Sequence, residues 1–456
     1  MNRFPSTLFA GKRFAVVGLA RFGLPVARAL RAMGAEVLAW DDNAAARELA
    51  DATIGDPSLD GGRFDALILS PGIPHRLPRP HRLASWATAR GIPILSDVEL
   101  LYQAVRSAGS AARFVGITGT NGKSTTTALL AHTLSVAGIS NAAGGNLGTP
   151  ALALPLLDDA GIYVIEMSSY MLERIVTVRF DAAAMLNLSP DHLDRHGDMD
   201  GYAQAKCRVF DRQGAGDISV VGVDDAASVA IAATMRQKPA RLVTVSGYQP
   251  ADIRGDNGVI CDAEGPILTM AEAPALPGAH NAQNVAAASA MALHLGVDRA
   301  TLAASIRSFS GLAHRQQLVG RIDGVAFVND SKATNADAAA RALACYDRVV
   351  WIAGGEAKSG GIETLAEYFP RIVHAELIGR DAPALAATLA AHGVRHRIAG
   401  TLENAVPAAL QAARENSTGV VLLSPACASF DQFSGFDQRG DRFAALVQAR
   451  SREEAA

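Results

Sequence analysis

Cysteine is scarce in this chain, and the four that occur are far apart. Cys207, Cys261, Cys345 and Cys427 include no C-x-x-C pair. Their spacing argues against a disulfide framework and against a structural zinc site, and it is typical of a reducing compartment. We therefore expect a cytoplasmic protein.

An excess of charge of one sign and long apolar runs are also lacking. The chain has 42 Lys and Arg against 45 Asp and Glu, a net charge of −3. This balance gives no support to a nucleic-acid partner or to a polybasic membrane role. No uninterrupted apolar stretch reaches about 18 residues, and the N-terminus has no apolar signal region, so we expect no membrane insertion.

The 456 residues are 49% hydrophobic and 19% charged, which is typical of a soluble globular protein. The length predicts two to four domains, each large enough for its own core.

The most informative stretch is Gly-Ile-Thr-Gly-Thr-Asn-Gly-Lys-Ser-Thr, from Gly116 to Thr125. An apolar strand precedes it and a helical pattern follows, which together make a phosphate cradle at a helix N-terminus. Lys123 can reach the β- and γ-phosphates, and the Ser124 hydroxyl can ligate Mg²⁺. The stretch is one residue longer than the strict phosphate-loop pattern, with Ile117 where glycine is expected. The alternative is an ordinary strand-to-helix turn.

The first segment, 1–110, opens with a strand, a glycine loop at 18–23, a helix and a second strand that ends before Asp41. This order nearly matches a dinucleotide fingerprint. Ala20 replaces the middle glycine, which normally lets the backbone approach a pyrophosphate, so NAD is a weak prediction. A nucleotide diphosphate and a plain α/β turn both remain open.

Five polar positions stand out in the central segment, 111–311. Glu166 follows an apolar strand, where an acid can hold Mg²⁺, although a surface glutamate is the alternative. His192 follows a second strand and is either a ligand or structural. Lys206 has the pattern of a solvated helix lysine. Asn281 and Asn284 share a helix face and either cap the helix or contact an adenine.

The last segment, 312–456, contains strands that each end in polar residues, with helical stretches between them. This pattern predicts a third doubly wound unit. The fold class is therefore α/β with three doubly wound domains: a Rossmann-like domain at 1–110, a central phosphate-loop ATPase-like domain at 111–311, and a Rossmann-like C-terminal domain at 312–456. One nucleotide loop does not account for three such domains, so we expect further ligands.

Taken together, the motifs resemble the Mur ligases. The resemblance rests on Gly116–Thr125, His280–Asn284, His314-Arg315 and Asn329–Asn335, and Gly354–Lys358 and Leu423–Phe433 are similar to the members that add D-glutamate. It implies an ATP-dependent amide ligase that adds D-glutamate to UDP-N-acetylmuramoyl-L-alanine through an acyl phosphate, in cytoplasmic peptidoglycan precursor synthesis. It also implies ATP and two Mg²⁺ ions as cofactors, and a monomer.

The resemblance also implies roles for individual residues. The catalytic residues would be Lys123, Glu166, His192 and Lys206. ATP would be bound by Gly119, Thr120, Asn121, Gly122, Lys123, Ser124, Thr125, Asn281, Asn284, Arg315 and Asp330. Magnesium would be held by Ser124, Glu166, His192 and a carbamylated Lys206. The UDP-sugar would contact Leu19, Ala20, Arg21, Asp41, Asn146 and Ser168, and D-glutamate would contact Lys332, Thr334, Lys358, Ser429 and Phe436.

Two positions depart from the family pattern. Phe22 stands where relatives often have a hydroxyl residue, and Met171 stands where they usually have Gln. Both would lie by the UDP-sugar. Rival hypotheses are a folylpolyglutamate synthase-like ligase, an NAD oxidoreductase and a non-catalytic nucleotide-binding regulator.

Overall fold

A computed structural model describes residues 3–20, 22–48, 50–146, 148–357 and 360–455. The chain divides into two compact units. The smaller unit includes a short segment that precedes, in the chain, the last two helices of the larger unit. The units are Met1–Ala273 with Ala279–Ser308, and Pro274–Gly278 with Phe309–Ala456.

The first unit begins with a small α/β layer built on buried apolar strands. Its elements are β1 (Arg13–Val17), α1 (Gly23–Ala32), β2 (Glu36–Trp40), α2 (Ala44–Glu48), β3 (Ala66–Leu69), α3 (Arg82–Ala89), β4 (Ile94–Leu95) and α4 (Asp97–Ser107). The four strands form a parallel sheet in the order β2-β1-β3-β4.

A larger sheet of nine strands follows in the same unit. Its elements are β5 (Arg113–Thr118), α5 (Lys123–Val136), β6 (Asn141–Gly145), β7 (Ile162–Glu166), α6 (Ser169–Leu172), β8 (Ala182–Met185), α7 (Leu193–His196), α8 (Met199–Cys207), β9 (Ile218–Gly222), α9 (Ala226–Met235), β10 (Arg241–Ser246), β11 (Ile253–Asp256), β12 (Val259–Asp262), β13 (Gly265–Thr269), α10 (Ala279–His294) and α11 (Arg299–Ser308). Short 3₁₀ turns lie at Ala151–Ala153, Arg208–Phe210 and Met270–Glu272.

The register of this sheet sets the position of the site. The strand order is β13-β12-β11-β10-β9-β8-β5-β7-β6, parallel except for the antiparallel hairpins at β11, β12 and β13. Ile117 pairs with Glu166, and Thr118 pairs with Met185. The chain therefore leaves β5, β7 and β8 at the same carboxyl edge, where open α/β sheets bind their ligands.

Buried polar ties join the small sheet to the large one. The Arg174 guanidinium donates to the carbonyls of Leu69, at 2.9 Å, and Ile73, at 2.6 Å. The carboxylate of Glu99 accepts from the backbone and the hydroxyl of Thr177. One apolar core runs through both sheets. The two predicted N-terminal domains thus form one compact unit, and their boundary near residue 110 stays a prediction.

The second unit is a six-stranded α/β layer. Its elements are β14 (Gln317–Ile322), β15 (Val325–Asn329), α12 (Ala336–Leu343), β16 (Val349–Gly354), a 3₁₀ helix (Glu363–Arg371), β17 (Ile372–Ile378), α13 (Ala382–Ala391), β18 (His396–Gly400), α14 (Leu402–Glu415), β19 (Val420–Leu423) and α15 (Phe436–Ala455). The order is β14-β15-β19-β16-β17-β18, with β14 antiparallel. Apolar cores cover both faces.

In this sheet β19 lies between β15 and β16, so the chain connections reverse direction there. Such a reversal opens a crevice outside the carboxyl ends of the strands. The three sheets confirm the predicted α/β class with doubly wound, Rossmann-like layers. Within the described ranges, no helix is both long and apolar enough to cross a membrane.

Candidate functional site

The phosphate loop connects β5 to α5, as the sequence predicts. Gly122 caps α5 in the left-handed region, at φ 81°. A Cβ added there would lie 2.1 Å from Asn284 Oδ1. Glycine is therefore needed at this position both for the backbone conformation and for the close approach of α10.

Two lysines converge on one carbonyl of the loop. Lys123 Nζ donates to the Gly119 carbonyl at 2.9 Å and to the Thr120 carbonyl at 2.8 Å. Lys206 Nζ, from α8, donates to the same Gly119 oxygen at 2.8 Å. Both amines thus lie within the loop that should hold the ATP phosphates.

Lys206 is buried rather than solvated, with 2% of its surface exposed. Its Nζ lies 4.7 Å from the centre of the Tyr202 ring. Burial, together with the charge of Lys123, lowers the pKa of Lys206 well below its ordinary value. The neutral amine, which is the nucleophilic form, is thereby favoured.

Asn187 and Ser189 hold the loop from the chain that follows β8. Asn187 Oδ1 accepts from the Asn121 amide at 2.8 Å, and its carbonyl accepts from the Thr120 amide at 2.9 Å. The Ser189 amide donates to Thr120 Oγ1 at 3.0 Å. Neither residue was predicted to contact the phosphate loop.

Glu166 is buried at the end of β7, which excludes the alternative of a surface glutamate. Its Oε1 accepts from Asn146 Nδ2 at 2.7 Å, whereas its Oε2 is buried without a hydrogen-bond partner. A buried carboxylate oxygen left open in this way suits a cation or a bound water. In the described part of the chain, no three His, Cys, Asp or Glu side chains form a ready-made metal cluster. A metal here would need ligands of other kinds beside Glu166, from the protein or from a substrate.

His192 lies in a left-handed turn, at φ 51°, just before α7. Its ring is half-exposed and lies 5.1 Å from that of Tyr170, and its Nε2 lies 3.4 Å from Asp191 Oδ2. Partial burial, and then the charges of Lys206 and Lys123, lower the pKa of His192 against the opposing effect of Asp191. The His192 ring is thus partly exposed beside Tyr170 and Asp191.

Asn281 and Asn284 lie inside α10 and are buried. Asn284 Nδ2 donates to Asn281 Oδ1 at 3.0 Å, and Asn284 Oδ1 accepts from Thr126 Oγ1 at 3.4 Å. Both amides therefore lie on the side of α10 that faces α5. Their predicted contact with adenine stays a prediction.

In the small sheet, Asp41 closes the turn after β1. Its Oδ2 accepts from the Leu19 amide at 2.7 Å, and its Oδ1 accepts from the Asn43 amide at 2.8 Å. Leu19 is buried while Ala20 is exposed. Arg21, predicted to border the UDP group, lies outside the described residues.

Ser168 caps α6 by accepting from the Met171 amide at 3.3 Å. The Met171 side chain is buried in the apolar core, and Phe22 packs against that core from the first sheet. Met171 and Phe22, the two residues that depart from the family pattern, therefore make apolar contacts, and neither side chain presents a polar group to a ligand.

In the second unit, Asp330 lies buried at the end of β15. Its Oδ2 accepts from Ser424 Oγ at 2.8 Å, and its Oδ1 accepts from the Gln316 amide at 3.2 Å. Burial raises the pKa of Asp330 to about 7, although these hydrogen bonds and Arg315 oppose the rise. The carboxyl group is thus held ready to accept or donate a hydrogen bond.

The residues predicted to contact D-glutamate follow neighbouring strand ends. Lys332 Nζ lies 3.7 Å from the centre of the Phe436 ring. Ser331 Oγ donates to the Phe436 carbonyl, and Ser429 is buried after β19. The Thr334 amide donates to the Lys332 carbonyl, at 2.9 Å. Lys358 lies outside the described residues.

These features define a class, namely an α/β protein with a phosphate loop and a second, ligand-binding α/β unit. Residues 117–292 match the family model for the Mur ligase middle domain, and 314–427 match that for the Mur ligase glutamate ligase domain. Relatives named UDP-N-acetylmuramoylalanine–D-glutamate ligase are 49% identical in Paramagnetospirillum magneticum, covering 97% of each chain, and 46% identical in Caulobacter vibrioides, covering 96% of each. The chain therefore belongs to the Mur ligase family, in the group of these D-glutamate ligases.

Solved structures agree on the fold. UDP-N-acetylmuramate-alanine ligase MurC from Thermotoga maritima gives a TM-score of 0.59 at 16% identity, covering 96% of this chain and 99% of that one. MurF from Acinetobacter baumannii gives 0.58 at 18% identity, with coverages of 78% and 81%. At these identities the similarity shows the fold alone.

Proposed function

We propose that this protein joins D-glutamate to UDP-N-acetylmuramoyl-L-alanine, converting ATP to ADP and phosphate, in the cytoplasm and as a monomer. The observation that carries the proposal is the convergence of Lys123 and Lys206 on one carbonyl of the phosphate loop, with the buried Glu166 at the end of the neighbouring strand β7. The names of the full-length relatives suggest D-glutamate as the amino acid and UDP-N-acetylmuramoylalanine as the sugar nucleotide.

The chemistry explains why ATP is consumed. A carboxylate is a poor acyl donor because oxide is a poor leaving group. An oxygen of the substrate carboxylate attacks the γ-phosphorus, the bond to ADP breaks, and an acyl phosphate forms. The amine of D-glutamate then attacks the acyl carbon, phosphate leaves with the bonding electrons, and the amine releases a proton.

The phosphate-loop residues would reduce the electrostatic repulsion between ATP and the substrate carboxylate, which are both anionic. Lys123 would turn from the loop carbonyls to the β- and γ-phosphates, and the loop amides from Gly119 to Thr125 would donate to them. Asn281, Asn284 and Arg315 would contact the rest of ATP, with Asp330 at the ribose.

The residues present fit Mg²⁺, which takes few protein ligands and is completed by phosphate oxygens. The open Oε2 of Glu166, the Ser124 hydroxyl, the His192 ring and a carbamate on Lys206 would hold two ions. When bound, Mg²⁺ would neutralise phosphate charge and align the transfer. A carbamate forms when a neutral amine attacks carbon dioxide, and burial favours the neutral amine of Lys206.

The remaining predicted residues divide between the two substrates. Lys332 and Lys358 would pair with the carboxylates of D-glutamate, beside Thr334, Ser429 and Phe436. Leu19, Ala20, Arg21, Asp41, Asn146 and Ser168 would contact the UDP-sugar.

Phosphate release tests the proposal. With ATP, Mg²⁺ and UDP-N-acetylmuramoyl-L-alanine present, adding D-glutamate should start the release, and omitting any one component should stop it. Release with L-glutamate or another amino acid, but not with D-glutamate, would refute the assignment. A folylpolyglutamate synthase-like ligase would not require the UDP-sugar.

A further inference from the structure

His196, at the end of α7, is almost completely enclosed, with 1% of its side chain exposed. Its ring is nearly parallel to that of Tyr170, at 5.7 Å and 15°, and lies 5.3 Å from the ring of Tyr202. The Tyr170 ring is stacked on this imidazole and the Tyr202 ring is tilted towards it, so the His196 side chain has almost no contact with water. Its nitrogens therefore need protein partners.

Both nitrogens of His196 face α6 and the residue that follows it. Nε2 lies 2.9 Å from Ser169 Oγ, and Nδ1 lies 3.5 Å from Glu173 Oε1. Burial would raise the pKa of Glu173, but the approach of His196 and the charges around Glu173 outweigh burial and hold that pKa below its usual value. His196 thus bonds to Ser169 at the start of α6 and lies near Glu173 at its end, where its buried Nδ1 has no hydrogen-bond partner among the described residues.

Each neighbour of His196 is close to one of the predicted metal ligands, either in the chain or in space. Ser169 begins α6, three residues after Glu166. The Tyr170 ring contacts that of His192, at 5.1 Å.

The Tyr202 ring, in α8, lies 4.7 Å from Lys206 Nζ. The Tyr202 hydroxyl lies 3.4 Å from Thr120 Oγ1 in the phosphate loop. His196 therefore contacts α6 and α8, and through them it is linked to all three predicted ligands.

We propose that His196 is a positioning residue for the divalent-cation site. It touches neither the cation nor a substrate. Its imidazole locks Ser169, Tyr170 and Tyr202 in one arrangement, so that Glu166, His192 and Lys206 face the same volume beside the loop. The inference rests on the proposed function for the identity of these ligands. Residues that orient metal ligands in this way typically contribute about 10- to 100-fold in metal affinity or activity.

The test is direct binding of Mn²⁺, followed by electron paramagnetic resonance, with a non-hydrolysable ATP analogue present and no other substrate. His196→Phe retains an aromatic ring but loses the contact with Ser169. Ser169→Ala removes the same contact from the other side. We expect each variant to weaken Mn²⁺ binding about tenfold, and the double variant to be no weaker than either single one, because both remove one interaction.

His196→Gln gives the matched control, since its amide can reach Ser169 from the same side, and it should recover most of the Mn²⁺ affinity. The Mg²⁺ concentration for half-maximal phosphate release should rise in parallel, while the KM for D-glutamate stays within about twofold. A purely structural role would lower the thermal midpoint and leave Mn²⁺ affinity per folded molecule unchanged.

Mn²⁺ binding equal to wild type in both His196→Phe and Ser169→Ala would overturn the inference. That outcome is distinct from failure of the proposed function, which would appear in the wild-type protein as phosphate release independent of D-glutamate.

Discussion

Lys206 and Gly119 are 87 residues apart in the chain, yet the Lys206 amine donates to the Gly119 carbonyl at 2.8 Å. Lys123 donates to the same oxygen. Two ammonium groups this close repel each other, and the more buried one gives up its charge more readily. Burial and the charge of Lys123 both lower the pKa of Lys206, an amine that lies against the phosphate loop.

Replacement of Lys206 by alanine should lower kcat at least about 100-fold, because an anionic metal ligand would be lost from a preorganised site. A small carboxylate such as formate should restore part of the activity by filling the vacated space. Steady-state rates with and without formate measure this. Lys238→Ala, at an exposed position on the same unit, is the control. Wild-type activity in Lys206→Ala would contradict the carbamate role.

The substitution Glu166→Gln should weaken metal binding while leaving folding nearly unchanged. The new amide oxygen can still accept from Asn146, but the open Oε2 is replaced by a neutral amide nitrogen. We expect a near-normal thermal midpoint and a Mg²⁺ requirement raised about 10- to 100-fold. Titration of the rate with Mg²⁺ checks this. Glu264→Gln, on the exposed surface, should change neither quantity. An unchanged Mg²⁺ requirement in Glu166→Gln would contradict the role of Glu166.

Two glycines at opposite ends of α5 give a matched pair. Gly122 and Gly138 both have positive φ, at 81° and 72°, so alanine costs each about 1–2 kcal/mol in the backbone. A Cβ at Gly138 meets nothing within 4 Å, whereas at Gly122 it meets Asn284 Oδ1. Gly122→Ala should therefore lower the thermal midpoint further and weaken ATP binding by calorimetry. Equal effects of the two substitutions would show that the close approach of α10 is unimportant.

The buried carboxyl group of Asp97 should make the stability of the fold depend on pH. Its Oδ2 accepts from the Ala151 amide at 2.6 Å, and complete burial raises its pKa from 3.8 to about 6. Between these values the folded state binds the proton more tightly than the unfolded state, so Asp97 stabilises the fold at low pH and less as the pH rises. The thermal midpoint of wild type minus that of Asp97→Asn should fall from pH 4 to pH 6. A flat or rising difference would contradict this assignment.

The sequence predicted the elements whose signal is local. The strand before Gly116, the helix after Ser124 and the alanine-rich helix after Ala279 are confirmed. Missed elements carry weak local patterns, since Asn141–Gly145 is a strand of small residues and 253–269 forms hairpins at a sheet edge. Small residues form strands when neighbours on both sides supply the hydrogen bonds, and a single sequence does not show those neighbours.

Burial was the hardest property to predict at the site. From composition alone, Lys206 is expected to be solvated. Its buried environment is created by the packing of α8 against a loop 87 residues earlier, and composition does not show that packing. Nothing in the sequence separates His196 from His192, since only the fold decides which ring is buried in contact with both Tyr170 and Tyr202. Asn187 belongs to no motif in the sequence, because its bonds to the loop depend on the parallel pairing of β5 with β8.

The most direct test of the account is mass spectrometry of the nucleotide product. Purified protein is incubated with ATP, Mg²⁺, UDP-N-acetylmuramoyl-L-alanine and either D- or L-glutamate. The account predicts a product heavier by one glutamate residue with D-glutamate, formed in equal amount to ADP and phosphate, and none with L-glutamate. ADP formation without that product, or addition of a different amino acid, would contradict it.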